Sequence, residues 1–130
     1  MNRMDALPSQ KQTVPYNYIS IRGDQYHSAT VAIEKVHRLL GSLAELVDNG
    51  DRTYSNAPGF PWLCLALLNC DPMGNYPAGL PQDGPTINLL ELIYEDDGNI
   101  SRAQFYIDLG CDIAEALGWE TVAADSGGYG

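Results

Sequence analysis

FPWLCLALLN, residues 60–69, and TINLLELIY, residues 86–94, decide how this chain folds. Each is an apolar run of strand length, rich in leucine and isoleucine and bounded by turn formers. Pro61 lacks a backbone donor, so it is tolerable only where the first run begins or on a sheet edge. Between them lies CDPMGNYPAGLPQDGP, residues 70–85, whose four prolines and three glycines rule out both helix and central strand. That connection is longer than a hairpin needs, and such loops in compact domains usually carry function.

Reading outward toward the N-terminus, residues 50–59 (GDRTYSNAPG) form a turn-rich loop. Before it, Ile33, Val36, Leu40, Leu43 and Val47 recur at helical spacing, widened by Ala29, Ala32, Leu39 and Leu46. This predicts a helix over residues 28–48, capped by Asp24 or Ser28 and stopped by Asn49-Gly50. Residues 16–22 (YNYISIR) alternate with period two and predict a strand. Residues 1–13 are polar and unpatterned, and read as a flexible leader.

Toward the C-terminus, Asp96-Asp97-Gly98-Asn99 ends the second apolar run. Ser101 and Gln104 have capping-box spacing and open a helix with Tyr106, Leu109, Ile113 and Leu117 on one stripe. Gly118 stops it, residues 119–123 (WETVA) read as a short strand, and residues 125–130 as a flexible tail. The expectation is one α+β domain over residues 14–124 in the order βαββαβ. That is the ferredoxin-like arrangement: an antiparallel four-stranded sheet with both helices on one face. One tension is visible. In that topology the 60–69 strand lies at an edge, yet it is apolar on both faces, so the 70–85 loop, a partner or a second subunit covers it, or the strand order differs.

The chain has 130 residues, 45% of them hydrophobic, which suits one domain with its own core. No apolar run approaches the roughly 20 residues of a membrane span, and the first residues lack a signal-peptide apolar region, so the cytoplasm is the expected compartment. Cys64, Cys70 and Cys111 lack C-x-x-C spacing and read as core thiols. Seven basic against seventeen acidic residues give a formal net charge of −10. Nearly all of the excess follows residue 82, where ten acids face only Arg102. This charge repels nucleic acid and anionic membrane and favours encounter with a cationic protein.

Catalytic signatures are missing from the sequence. His27 and His37, its two histidines, read as flank or capping residues, and no nucleophile elbow, phosphate loop or metalloprotease spacing occurs. The chain is therefore expected to be no enzyme, with neither metal nor cofactor. Arg22-Gly23-Asp24 reads as a strand-to-helix turn rather than an adhesion signal, and Asn99-Ile100-Ser101 as a cap rather than a glycosylation site. Asp108, Asp112 and Glu115 fall at i, i+4 and i+7 and line one side of the second helix. Together with Glu95, Asp96 and Asp97 they predict a carboxylate surface for a basic partner, the alternative being a merely solvated face. Tyr54, Phe60, Met73, Tyr76 and Leu80 lie in the long loops, where they read either as interface anchors or as cover for the 60–69 strand.

A short acidic α+β chain closing with a helix and the segment ALGWETV (116–122) resembles the immunity proteins of bacterial polymorphic and contact-dependent toxin systems. The resemblance implies inhibition of a cognate protein toxin, or another basic protein, by a monomer or homodimer. Many such toxins are nucleases whose basic clefts receive phosphates, and carboxylates could occupy those places. Two other classes fit the same composition: a phage-encoded inhibitor of a host nuclease, and a small-molecule-sensing regulatory domain that dimerises through sheet edges.

Overall fold

The computed structural model describes residues 15–76 and 82–124, so the expected leader, the tail and Leu80 lie outside the described residues. In chain order the elements are β1 (Tyr16–Arg22), β2 (Val31–Ala32), α1 (Ile33–Gly41), β3 (Leu46–Asp48), β4 (Thr53–Asn56), β5 (Leu63–Leu68), β6 (Thr86–Ile87), β7 (Leu89–Glu95), α2 (Ile100–Leu117) and β8 (Glu120–Ala124). A six-stranded antiparallel sheet runs β3-β4-β5-β7-β1-β8, and β2 pairs with β6 in a separate two-stranded ribbon.

This overturns the four-stranded βαββαβ expectation. The error lies in residues 28–48, where one long helix was expected. The helix covers only Ile33–Gly41, with Val36 and Leu40 buried beneath it. Gly41 and Ser42 end it: glycine is a poor helix former, and the Ser42 amide and hydroxyl both turn back onto the Leu39 carbonyl, at 3.1 and 2.6 Å. Leu46 and Val47, which continue the helical stripe in sequence, are instead on β3, the first buried and the second exposed. Asn49-Gly50 then serves a hairpin rather than a helix stop. The Asp48 side chain accepts from the Gly50 amide at 2.8 Å, Gly50 takes a φ of 85°, and the Asn49 amide reaches the Thr53 carbonyl at 3.0 Å.

The expected 50–59 loop thus contains β4, and β4 settles the tension over the apolar run. β5 is an interior strand, hydrogen-bonded to β4 on one side and β7 on the other. The second run is also two elements. Thr86 and Ile87 pair with β2, Asn88 breaks the run, and Leu89 onward joins the main sheet. Among the described residues, Asn88 is the one buried polar side chain. Its side chain accepts from the Cys70 amide at 2.9 Å and donates to the Cys70 and His27 carbonyls at 2.9 and 3.1 Å. A buried amide so satisfied costs little, and it fastens the start of the 70–85 connection to the core.

Both helices cover one face of the sheet. Ile19 and Ile21 of β1, Leu63, Leu65 and Leu67 of β5, and Leu90, Leu92 and Tyr94 of β7 form a single cluster there with Val36, Leu40, Tyr106, Leu109 and Ile113. A Cβ on Gly110 would stand 3.3 Å from the Ile19 side chain, so α2 settles closely on β1. Asn99 rather than Ser101 caps α2, its side chain accepting from the Arg102 amide at 2.9 Å. Gln104 does not complete the expected capping box; it donates to Asp108 at 2.8 Å. Gly118 at φ 71° closes the helix in the left-handed region.

Candidate partner-binding surfaces

Because strand residues alternate between faces, every apolar residue pointing at the helices has a neighbour pointing away from them. The face opposite the helices carries Tyr16, Tyr18, Ser20 and Arg22 of β1, Glu91, Ile93 and Glu95 of β7, Cys64 and Ala66 of β5, and Val122 of β8, as the cross-strand partners require. Tyr16 is 48% exposed and Trp62, just before β5, is 44% exposed. Their ring centroids lie 5.6 Å apart at 49°. Tyr16 stands opposite Glu95 on β7, and Trp62 precedes Leu63, whose partner is Tyr94. The two rings therefore lean together from the strands on either side of Glu95.

That corner is held firmly. The Tyr106 hydroxyl donates to the Trp62 carbonyl at 2.6 Å, and the Asp96 amide donates to the Pro15 carbonyl at 2.9 Å. Further along the same face, Tyr76 reaches back over the sheet. Burial, followed by the negative charge and hydrogen bond of Glu91, pushes its hydroxyl well above the ordinary tyrosine range. Arg22, a cation on this face, is engaged with Glu120 at 2.9 Å.

The expected single carboxylate surface divides into three parts. Glu95 belongs to the open sheet face. Asp96 and Asp97 serve the turn into α2: Asp96 accepts from the Gly98 amide at 3.2 Å and from Asn17 at 3.4 Å, while Asp97 accepts from the Asn99 amide and pairs with Arg102. The Asn99 amide, then Arg102, holds the Asp97 carboxyl below its ordinary range. Asp108, Asp112 and Glu115 are exposed on the solvent side of α2, away from the open sheet face. Among the described residues no cationic side chain pairs with any of the three.

Of the aromatic and methionine residues expected as anchors, Tyr54 is corrected: it is 1% exposed, part of the core, and unavailable to a partner. Its ring lies in β4, whose cross-strand partner Leu65 also faces inward, and its hydroxyl is 2.6 Å from His37 Nδ1. Burial, with Asp48 adding to it, raises the Tyr54 hydroxyl. Met73 is 81% exposed and lines an open depression of about 260 Å³ with Gln25, Tyr26 and Pro72. Phe60 stacks on Phe105 at 6.0 Å. The connection bearing Met73 and Tyr76 is tied at both ends, by Asn88 at Cys70, by the mutual bonds of Asn69 and Gln82 at 2.9 Å, and by Arg52 to the Gly84 carbonyl.

The core-thiol reading is corrected for Cys111, which is exposed on α2. Cys70 is buried, and burial pushes its thiol up to about 11; Cys64 is half-buried and also raised by burial. Among the described residues, no group of three or more His, Cys, Asp or Glu side chains could hold a metal ion. No helix among them is long and apolar enough to cross a membrane. The Tyr16, Trp62 and Glu95 grouping escaped the sequence because it depends on strand order; the exposed aromatic at 16 and the tryptophan at 62 were its only signals. In comparisons with known proteins, no family model matches this sequence and no curated protein matches it.

Proposed function

We propose that the protein is a non-catalytic inhibitor of the immunity type, acting in the cytoplasm. It binds a basic cognate toxin and blocks the toxin's working surface by bulk and by charge. The observation that carries this reading is the row of carboxylates on α2, none of which has a cationic partner among the described residues. Asp108, Asp112 and Glu115 project together from a rigid helix, while the nearby Arg102 is committed to Asp97. Such a row presents anionic oxygens at fixed spacing, as a phosphate backbone does, and attracts a basic cleft over a Debye length of about 8 Å at physiological salt. The formal charge of −10 supports the same polarity of partner.

Co-expression with the toxin encoded beside it tests the proposal: cells carrying both survive, and killing unaffected by this protein rejects it. The joint substitution Asp108→Lys with Asp112→Lys reverses two charges on the row. It should slow association with the toxin by about tenfold at low salt and flatten the salt dependence of the rate. An unchanged rate places the interface elsewhere on the molecule.

A further inference from the structure

The geometry points to a second recognition element: Tyr16, Trp62 and Glu95 form an open cage for an arginine side chain projecting from the basic partner. This rests on the proposal that the partner is a basic protein. The two rings lie 5.6 Å apart at 49° and are each nearly half exposed, Tyr16 at 48% and Trp62 at 44%, so one cation seated over the pair can lie within about 6 Å of both centroids. Glu95, opposite Tyr16 in register, supplies a carboxylate at the base. Arginine suits this arrangement better than lysine, because a planar guanidinium stacks on rings while offering paired donors to a carboxylate.

Charge selects this occupant over others. Glu95 has no cationic partner among the described residues, and Arg22, on the same face, is already engaged with Glu120. A second copy docked face to face would bring two surfaces that each carry Glu91 and Glu95 together, in a chain of net charge −10. Nucleic acid meets the same repulsion. The cage is also pre-formed. Tyr106 fixes the Trp62 backbone and Asp96 fixes Pro15, so little order is lost on binding.

The test uses the full chain and a fluorescein-labelled hexa-arginine peptide, with hexa-lysine as comparison, at about 0.15 M salt. Binding is read by anisotropy and by the Trp62 indole and Tyr16 ring resonances. The arginine peptide is expected to bind more tightly than the lysine peptide and to shift both sets of resonances. Trp62→Ala and Glu95→Gln should each weaken it by about five- to tenfold. Glu34→Gln, which removes the same charge from exposed α1, should change it less than twofold. Glu95→Gln keeps the shape of a surface side chain, so its spectrum also reports that the fold is intact. Unmoved Trp62 resonances, equal losses in Glu34→Gln and Glu95→Gln, or a self-association that Trp62→Ala abolishes would each overturn the cage. Toxin co-expression is scored separately: a protein that binds the peptide through the cage but fails to protect cells loses the immunity role and keeps the cage.

Discussion

Replacing Asn88 with alanine should be among the most damaging single changes in the described structure. The Asn88 side chain closes three hydrogen bonds, two of them to the backbone of Cys70, which is itself 5% exposed. A buried backbone group left without a partner costs about 1–3 kcal/mol. The His27 carbonyl is on a partly exposed residue, where water can replace the lost donor. Counting chiefly the two Cys70 groups, and allowing that a water enters the vacated space and recovers part of the loss, gives about 2–4 kcal/mol. For a small domain with an m-value of about 2 kcal/mol/M, the urea midpoint should fall by roughly 1–2 M. Amide exchange at Cys70 should accelerate in the same variant. Asn88→Asp keeps the acceptor for the Cys70 amide but turns an oxygen toward two carbonyls, so it should be at least as unstable at neutral pH. A loss under about 1 kcal/mol, with the Cys70 amide still protected, would show that the 70–85 connection is anchored by something other than this amide.

Two further outcomes can be checked on the turn after β1. Gly23→Ala would put a Cβ 2.3 Å from that of Ala29; a loss of about 1–3 kcal/mol is expected in chemical denaturation, and Ala29→Gly in the same chain should restore part of it. Failure of that rescue would assign the cost to the backbone rather than the clash. Asp24 accepts from the Ser28 hydroxyl and amide and from the Tyr26 and Ala29 amides. These bonds, the Ser28 hydroxyl first, hold its carboxyl at about 2. Because the folded value lies below the ordinary 3.8, its contribution is complete above that pH and is lost as the pH falls toward 2. Thermal midpoints measured between these limits should fall less steeply in Asp24→Asn than in the parent; parallel curves would refute the linkage.

Much of the chain's local structure is written in its residues. The alternation of YNYISIR gives β1, the stripe from Tyr106 to Leu117 gives α2, and Gly118 gives its end, because each depends on neighbours within a turn or a strand. What escaped was decided across longer distances. Leu43, Leu46 and Val47 continue the α1 period, and nothing within that window announces that Leu46 finds its place on a strand paired with Asn56. Once β3 and β4 are missed, β5 is left at an edge and the whole sheet comes out too narrow. The candidate surfaces follow the same division. Asp108, Asp112 and Glu115 share a side by helical spacing alone, whereas Glu95 parted from Asp96 and Asp97 through the pleat and the turn. Tyr54 sits in a segment rich in turn formers, and only its pairing with Leu65 reveals it as core.

The position of β1 has a consequence for how the protein comes into being. Its two neighbours in the sheet are β7, beginning at Leu89, and β8, ending at Ala124. At about 5–20 residues per second of synthesis, the tyrosine-bearing β1 waits several seconds for either flank to be made. The β3-β4-β5 meander, whose partners follow one another directly, can assemble during that interval. β1 therefore gains its first sheet neighbour only when β7 has been translated and its second only with β8, so its place in the sheet rests wholly on contacts distant in sequence.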